Sequence, residues 1–381
     1  MSELVESPDM VDLSQVPFVD GHMHPPLRVR PQTVEEYRWP WFEGLPEESG
    51  HVTGLVPYRW AIRQIADELG CAADERAVLR HTRELDPLAW LATVCERSQT
   101  TALVLDTGYP PPEQALPLDE IRAAGVELAP LLRLEVVAGE LIAEGLAFAD
   151  LIERYDAAVA GARAAGYAGL KSIAAYRSGL AIRRWEAADA ADALERQRSA
   201  GVTRVQEQEL VDFLLLRALP IARRDDLPVQ LHAGYGDRDL DLRLVNPLHL
   251  RGMLSSEEAQ GVHFVVLHGA WPFVREGAFM TAVYSNVTLD VATCIPPLGH
   301  AALLEAWRCA LSVGSVARLQ ASSDSAGLPE QIALGATRAR STLGQVLGEL
   351  VTSGELSAGE AERDGEAILS GNSRRLYFGE S

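Results

Sequence analysis

Two histidines near the amino terminus, His22 and His24, are separated by a single residue in the string VDGHMH. The string has the apolar character of a β-strand, and alternate side chains of a strand project from the same face. Imidazole nitrogens that converge in this way suit Zn²⁺ and related divalent ions. A histidine pair at this spacing also occurs as ordinary hydrogen-bonded polar residues, so the pair alone is weak evidence for a metal site.

Three further residues of metal-ligand type each end or follow an apolar run. His232 ends VQLH, His268 ends VVLH, and Asp324 directly follows QASS. If these runs are parallel strands, their ends meet on one side of the sheet, where four imidazoles and a carboxylate would converge. The set predicts a centre of one or two divalent ions, with Zn²⁺ favoured and Mn²⁺, Fe²⁺ or Ni²⁺ as alternatives.

The chain has one lysine, Lys171, among its 34 basic residues, and it lies near the end of the run YAGLKSI. A desolvated lysine amine can lose its proton at accessible pH, whereas arginine cannot. A neutral amine could react with CO₂ to form a carbamate that bridges two metal ions, which is the interpretation we favour from the sequence. The alternative is an ammonium that binds a substrate carboxylate or polarises a carbonyl.

Eight short β-type runs recur along the chain and are separated by helical stretches rich in Ala, Leu, Glu and Arg. The runs are Phe18–His24, Thr101–Thr107, Val126–Leu134, Tyr167–Ile173, Val229–Gly234, Val262–His268, Asn286–Val291 and Arg318–Ser323. This pattern predicts an α/β fold, a TIM-like (β/α)₈ barrel that occupies residues 1–381 as one domain. The active site of such a barrel lies at the carboxyl ends of its strands.

The segment 25–100, between the first two runs, is far longer than an ordinary βα loop. We predict that it is inserted over the catalytic end of the first strand as a lid or pocket wall, with helices over Arg59–Gly70 and Asp74–Glu84. The alternative is a purely structural loop in which Trp39 and Trp41 are packing anchors.

Loops after the fourth, fifth and sixth runs carry candidate substrate contacts, namely Tyr176, Arg177, Tyr235, Asp237 and Arg275. Arginine can bind a carboxylate with two parallel hydrogen bonds. Each arginine could equally form a surface ion pair in so acidic a chain. Near other strand ends, Asp106 and Asp290 are candidates to accept hydrogen bonds from the predicted metal-binding histidines.

Together these features resemble the amidohydrolase superfamily, particularly the FluG-like members of its amidohydrolase-2 branch. The resemblance extends over residues 18–378 and rests on the strings VDGHMH, GLKSIAAYRSGL, QLHAGYGD, NPLHL, LHGAWPFVREGA, ASSDS and ILSGNSRRLYF. It implies a metal-activated water and a proton shuttle at Asp324. For two ions it implies one held by His22, His24 and Asp324 and one by His232 and His268, with Lys171 between them. For a single ion it implies His22, His24, His232 and Asp324 as ligands, with His268 polarising the substrate.

The resemblance favours hydrolysis of an amide or other C–N bond in a small, carboxylated substrate such as a γ-glutamyl amide. A decarboxylase or other lyase on the same scaffold is the alternative, since the family also contains decarboxylases, hydratases and uronate isomerases. A scaffold protein without catalytic activity is a third hypothesis, which the intact ligand set disfavours.

The formal charge of −20 and the sequence pI of about 4.9 argue against nucleic acid and anionic membranes as partners, because both attract basic surfaces. The acidic start MSELVESPDM lacks the features of a secretory signal, and we find no apolar run of membrane-spanning length. We therefore expect a cytoplasmic enzyme with a small-molecule substrate, and homo-oligomerisation is compatible with the sequence.

Overall fold

A computed structural model describes residues 10–42, 44–292 and 298–379. Eight parallel strands lie side by side in chain order. They are β1 Phe18–Met23, β2 Thr100–Asp106, β3 Glu127–Arg133, β4 Gly169–Ser172, β5 Val229–Leu231, β6 Phe264–Val266, β7 Val287–Ala292 and β8 Leu319–Ser322. The Asp324 amide donates to the His22 carbonyl over 3.0 Å, and the His24 amide donates to the Ser325 carbonyl over 2.8 Å. These bonds join the end of β8 to β1, so the predicted (β/α)₈ barrel is confirmed.

The strands form where apolar runs can be buried on both faces, as parallel sheets require. Every residue of β1, β4, β5, β6, β7 and β8 is buried. Several strands are shorter than the predicted runs. Strands β5 and β6 have three residues each, so His232 and His268 lie just beyond them. At that end of the barrel the chain leaves the sheet, and polar side chains replace the apolar ones.

The described residues between β1 and β2 contain four α-helices: α1 Val34–Arg38, α2 Val56–Leu69, α3 Glu75–Thr82 and α4 Pro87–Arg97. The two predicted helices correspond to α2 and α3, whereas α1 and α4 were not predicted. Helix α2 is followed by Gly70, whose φ of 65° lies in the left-handed region that favours glycine. Helix α3 begins after Asp74, whose carboxylate accepts hydrogen bonds from two amides of its first turn.

The remaining helices pack around the barrel. They are α5 Leu118–Ala123, α6 Leu134–Ala143, α7 Phe148–Gly161, α8 Ala187–Ser199, α9 Gln208–Arg224, α10 Arg251–Leu254, α11 Val274–Val283, α12 His300–Val313, α13 Pro329–Thr352, α14 Ala358–Glu366 and α15 Asn372–Tyr377. Their apolar faces form a large buried core with the outside of the strands. Within the described ranges, no helix combines the length and hydrophobicity that a membrane span requires.

A buried ion pair attaches the segment between β1 and β2 to helix α13. Glu330, in the first turn of α13, is 1% exposed and accepts two hydrogen bonds from Arg30 over 2.7 and 3.0 Å. Its carboxylate also accepts from the Tyr37 hydroxyl and from the Trp90 indole, each over 3.1 Å. Three separate parts of the segment therefore converge on one carboxylate.

Candidate metal centre

A cavity of about 280 Å³ opens at the carboxyl ends of the strands, where the barrel places its polar residues. Nine of the residues predicted from the sequence line it: His22, His24, Lys171, Tyr176, Arg177, His232, Asp237, His268 and Asp324. These residues come from the ends of β1, β4, β5, β6 and β8 or from the loops that follow them. The barrel thus brings together side chains that are up to about 300 residues apart in the sequence.

Asp324 contacts three of the four predicted histidines. Its Oδ1 lies 3.4 Å from Nε2 of His22 and 3.9 Å from Nε2 of His24, and its Oδ2 lies 3.2 Å from Nδ1 of His268. Ligand atoms of His22, His24 and Asp324 all lie within 4.8 Å of one another, close enough to bind one ion. The fourth histidine, His232, contacts His268 through ring nitrogens 3.0 Å apart.

Hydrogen bonding fixes which His22 nitrogen carries the proton. The Gln230 amide donates to the Gly21 carbonyl over 2.9 Å, so its oxygen faces Nδ1 of His22 at 2.7 Å. Nδ1 must therefore donate. Burial lowers the pKa of His22 well below its ordinary value, so the ring is neutral and Nε2 keeps its lone pair. That lone pair faces a carboxylate oxygen of Asp324.

A similar chain of contacts fixes His268. Nε2 of His232 lies 2.8 Å from the Tyr235 carbonyl and must donate to it, which leaves Nδ1 of His232 to accept from Nε2 of His268. The second ring nitrogen of His268, Nδ1, then carries a lone pair beside Asp324, and within the described part of the chain this buried atom has no hydrogen-bond partner. The ring is neutral, because burial lowers its pKa well below the ordinary value.

This donor set fits a divalent cation. Lone pairs of two neutral imidazoles face the carboxylate of Asp324, which has no hydrogen to donate when it is ionised. Because all three groups are hydrogen-bond acceptors, they repel one another unless a proton or a cation lies between them. A set of imidazole nitrogens and one carboxylate suits Zn²⁺ and other first-row ions. The residues present therefore satisfy the requirements of a metal centre with His22, His24 and Asp324 as ligands.

Two residues of the centre have unusual backbone conformations. His268 has a φ of 62° and Asp324 a φ of 52°, in the left-handed region that residues other than glycine rarely adopt. Such conformations persist where the surrounding structure imposes them, and they concentrate at functional sites. Here each turns a side chain from the end of its strand toward the cavity.

Lys171 is 1% exposed and lies beside the ion pair of Arg133 and Asp106. Register places Arg133 of β3 next to Lys171 of β4. Arg133 donates to both carboxylate oxygens of Asp106, one of which lies 3.9 Å from Nζ of Lys171. Burial lowers the pKa of Lys171 to about 8, with Asp106 opposing that shift and Arg133 adding to it.

The expectation that Asp106 and Asp290 accept from the histidine side chains is not supported. Asp106 pairs with Arg133, while Asp290 accepts from the side chains of Gln320 and Ser322. In the described structure it is the Gln230 amide that orients His22. Gln230 carries no charge, so its residue type alone does not indicate this role.

The cavity residues that the sequence did not predict include Phe42, Tyr109, Arg133, Arg204 and Asp239. Arg133 ends β3, so the strand-end rule that identified His232 could have found it. Arg204 and Asp239 lie in long loops, where the sequence carries no comparable signal. Of the two tryptophans considered as packing anchors, Trp41 is buried against Tyr58, whereas Trp39 is 36% exposed and lines the cavity.

Two predicted substrate contacts lie elsewhere than expected. Arg275 is exposed in α11, beside Cys309, and it does not line the described cavity. Its assignment as a substrate contact is therefore withdrawn, because the helix begins at Val274 and carries the side chain to the outside of the barrel. Tyr235 packs against His268, with ring centres 5.6 Å apart, and supports the histidine pair.

We expect His22→Ala to weaken metal binding by at least about 100-fold, since even residues behind the ligands affect affinity by 10–100-fold. Elemental analysis after dialysis against a metal buffer would measure this loss, with circular dichroism to verify folding. His249→Ala is the matched control, because His249 is exposed and lies outside the cavity. Equal metal content in wild type and His22→Ala would refute the assignment.

Comparison with known proteins agrees with this geometry. Residues 19–379 match the family model described as amidohydrolase. Protein fluG of Emericella nidulans is 30% identical over 220 residues, which cover 55% of this chain and 25% of the relative. The match thus covers about a quarter of that curated relative's length.

Solved structures resemble the whole barrel. A candidate metal-dependent hydrolase from Lactobacillus casei superimposes with a TM-score of 0.88 at 26% identity, over 97% of this chain and 98% of the other. A uronate isomerase from Thermotoga maritima superimposes with a TM-score of 0.70 at 14% identity, over 99% and 100% of the two chains, and shares the fold. The family match extends over nearly all of the chain and includes every residue of the candidate centre, so this protein belongs to the amidohydrolase family.

Proposed function

We propose that this protein is a metal-dependent hydrolase that cleaves an amide or other C–N bond in a small, carboxylated substrate. The observation that carries the proposal is the position of Asp324, whose carboxylate faces the lone pairs of buried imidazoles on the floor of the cavity. This is an arrangement for binding a cation and for moving a proton beside it. The family membership supports the same class of reaction.

A divalent cation held by His22, His24 and Asp324 would supply a water of lowered pKa and would polarise a substrate carbonyl. Asp324 accepts the proton of the attacking water at its carboxylate and returns it to the leaving amine. Burial raises the pKa of this carboxyl to about 7, with His24 and Lys171 opposing the shift. A cation held by the same carboxylate would oppose this shift and favour the ionised form, which is the form that accepts a proton.

The side chains in the walls of the cavity position the substrate. Arg177 and Arg204 line it and can bind a substrate carboxylate through charge-assisted hydrogen bonds. Trp39 and Phe42, from the segment between β1 and β2, line it as well. We propose that this segment is the pocket wall that keeps bulk water from the reacting bond.

A panel of γ-glutamyl amides and aromatic carboxylic acids, assayed with protein loaded with Zn²⁺ or Mn²⁺, tests the proposal. Release of ammonia or an amine, abolished by a chelator and restored by metal, is the expected result. Release of CO₂ instead would show that the scaffold supports a lyase. No product from any member with a fully occupied metal site would contradict the proposed hydrolysis of these amides.

For Lys171 we propose a carbamate that joins two ions. The donors fall into two groups, His22, His24 and Asp324 on one side and the His232–His268 pair on the other. Lys171 lines the same cavity as both groups, and its positive charge lowers the pKa of a histidine in each. The contact with Asp106 favours the alternative ammonium, because two anions at that separation would repel each other.

We expect Lys171→Ala to reduce the metal content from two ions per chain toward one, because the bridging anion that offsets repulsion between the ions is lost. Formate or acetate at high concentration is expected to restore part of the second ion. Elemental analysis with and without the added carboxylate measures both effects. An unchanged metal content, together with weakened substrate binding, would establish the ammonium alternative.

A further inference from the structure

We propose that the substrate carries a free α-amino acid group, whose carboxylate binds Arg177 and Arg204 and whose ammonium binds Asp237 and Asp239. This inference rests on the proposed hydrolytic function and specifies its substrate class. All four side chains line the same cavity as the metal-centre residues. Arg177 follows β4, Arg204 lies between α8 and α9, and both aspartates follow β5. Because Arg204 and Asp239 are 3.6 Å apart, we treat the four side chains as one wall of the cavity entrance.

The two arginines form an anion-binding pair. Arg177 is partly buried, and its Nε atom is buried with no hydrogen-bond partner among the described residues. Burial lowers the pKa of this guanidinium, and the positive charge of Arg204 lowers it further. Two cations that lie near each other in a cavity are stabilised by an anion between them, and a carboxylate matches the planar donors of arginine.

The two aspartates are held together by a tight turn. The Asp239 amide donates to a carboxylate oxygen of Asp237 over 2.9 Å, and the Asp237 amide donates to the Tyr176 hydroxyl over 3.3 Å. A Cβ atom on the preceding residue, Gly236, would lie 2.1 Å from that hydroxyl oxygen, so only glycine allows this approach. The turn therefore keeps both carboxylates beside the arginines.

Charges of both signs on one wall distinguish an amino acid from a plain dicarboxylate. The carboxylate of Asp239 lies 3.6 Å from Arg204, longer than a hydrogen bond, and both side chains are more than half exposed. A substrate with a carboxylate alone would satisfy the arginines but leave the aspartates facing an anion. An ammonium next to the carboxylate would satisfy both pairs.

This arrangement also identifies the bond that is cleaved. The wall residues are partly or largely exposed, whereas His22, His268 and Asp324 are buried on the cavity floor. If the α-amino and α-carboxyl groups bind at the entrance, both must be free, and the scissile amide must be at the end of the side chain. Hydrolysis of such an amide adds water across its C–N bond and releases the amino dicarboxylic acid and an amine.

Calorimetric titration of the zinc-loaded protein with three probes tests the assignment without requiring turnover. L-Glutamate has both head-group charges, glutarate lacks the ammonium, and 4-aminobutyrate lacks the α-carboxylate. We expect L-glutamate to bind about tenfold more tightly than either analogue, because each loses a charge-assisted contact. Equal affinity for all three would overturn the proposal.

Single variants separate the two halves of the head-group site. Arg177→Gln is expected to weaken binding of L-glutamate and glutarate about tenfold and to spare 4-aminobutyrate. Asp237→Asn is expected to weaken the binding of L-glutamate and 4-aminobutyrate and to leave the binding of glutarate unchanged. Arg243→Gln and Asp241→Asn are matched controls, because these residues pair with each other outside the cavity and are expected to leave all affinities unchanged.

An identical loss of affinity for all three probes in both variants would overturn the division of roles between the arginines and the aspartates.

The same three compounds, supplied as amides, distinguish this inference from the proposed function. Hydrolysis of all three amides at equal rates would uphold the hydrolase and refute the head-group site. Selective binding of L-glutamate without hydrolysis of any amide would uphold the site and refute the hydrolase.

Discussion

Replacing Asp324 by asparagine is expected to lower turnover by about 10²–10⁴-fold, the range that a positioned proton carrier contributes. The amide has nearly the same shape, but it cannot accept the proton of the attacking water. It also faces the buried imidazoles without a negative charge, so metal affinity falls as well. Steady-state kinetics on the best amide substrate, at metal concentrations that saturate the variant, would isolate the proton-transfer effect.

Asp150→Asn, on the exposed surface of α7, is a suitable control for the same chemical change and is expected to retain full activity. Near wild-type turnover of Asp324→Asn with its metal site occupied would contradict the proton-carrier role. A loss of activity that excess metal fully reverses would show instead that Asp324 serves only as a ligand.

Replacing Glu330 by glutamine is expected to reduce the free energy of unfolding by about 3–5 kcal/mol, the usual effect of removing one partner of a buried ion pair. Arg30 is 3% exposed, so its charge would be left buried without a counter-ion. The neutral amide would also bind the donors of Tyr37 and Trp90 less strongly. Urea or guanidinium unfolding, followed by tryptophan fluorescence and circular dichroism, measures the change.

Glu349→Gln provides the control on the same helix. Glu349 pairs with Arg308, but the two side chains are 28% and 49% exposed, so their interaction is screened by water. Surface pairs contribute about 0–1 kcal/mol, and a small effect is expected for this variant. A similar loss of stability in both variants would show that burial of the Glu330 pair is not what makes it strong.

The effect of Glu330 is also expected to depend on pH. Burial acts to raise the pKa of Glu330, but the charge and hydrogen bonds of Arg30 prevail and hold it below its ordinary value. A carboxyl whose pKa is lower in the folded state stabilises the protein above its unfolded pKa, about 4.3 for glutamate. The stability difference between wild type and Glu330→Gln is therefore expected to be full at pH 6–7 and to shrink as pH falls below about 4. A difference that stays constant down to pH 3 would contradict this account.

Sequence determined the barrel and the identity of the residues on its floor. Apolar runs that recur between helical stretches specify parallel strands, because only such runs can be buried on both faces of a sheet. Once the strands are parallel, their carboxyl ends meet, so His22, His232 and Asp324 had to lie near one another. Local periodicity and the topology of the barrel were sufficient for this result.

Tertiary structure decided how these residues pair. Gln230, which orients His22, carries no charge. It becomes a hydrogen-bond partner of His22 only because strand register places it beside Lys171, with its side-chain amide facing the imidazole ring. The left-handed backbone of Asp324 directs its carboxylate to the imidazoles, which sequence patterns do not reveal.

The outer parts of the site depend on structure even more strongly. Arg177 and Arg275 both follow strands and could not be separated by sequence, yet one lines the cavity and the other lies on an outer helix. No sequence pattern indicates that Glu330 is the centre of a buried ion pair, because its partners come from three distant points of the chain. Periodicity reports which face of an element is buried, whereas the direction of a loop and the partners of a charge depend on contacts between distant segments, which only the folded chain brings together.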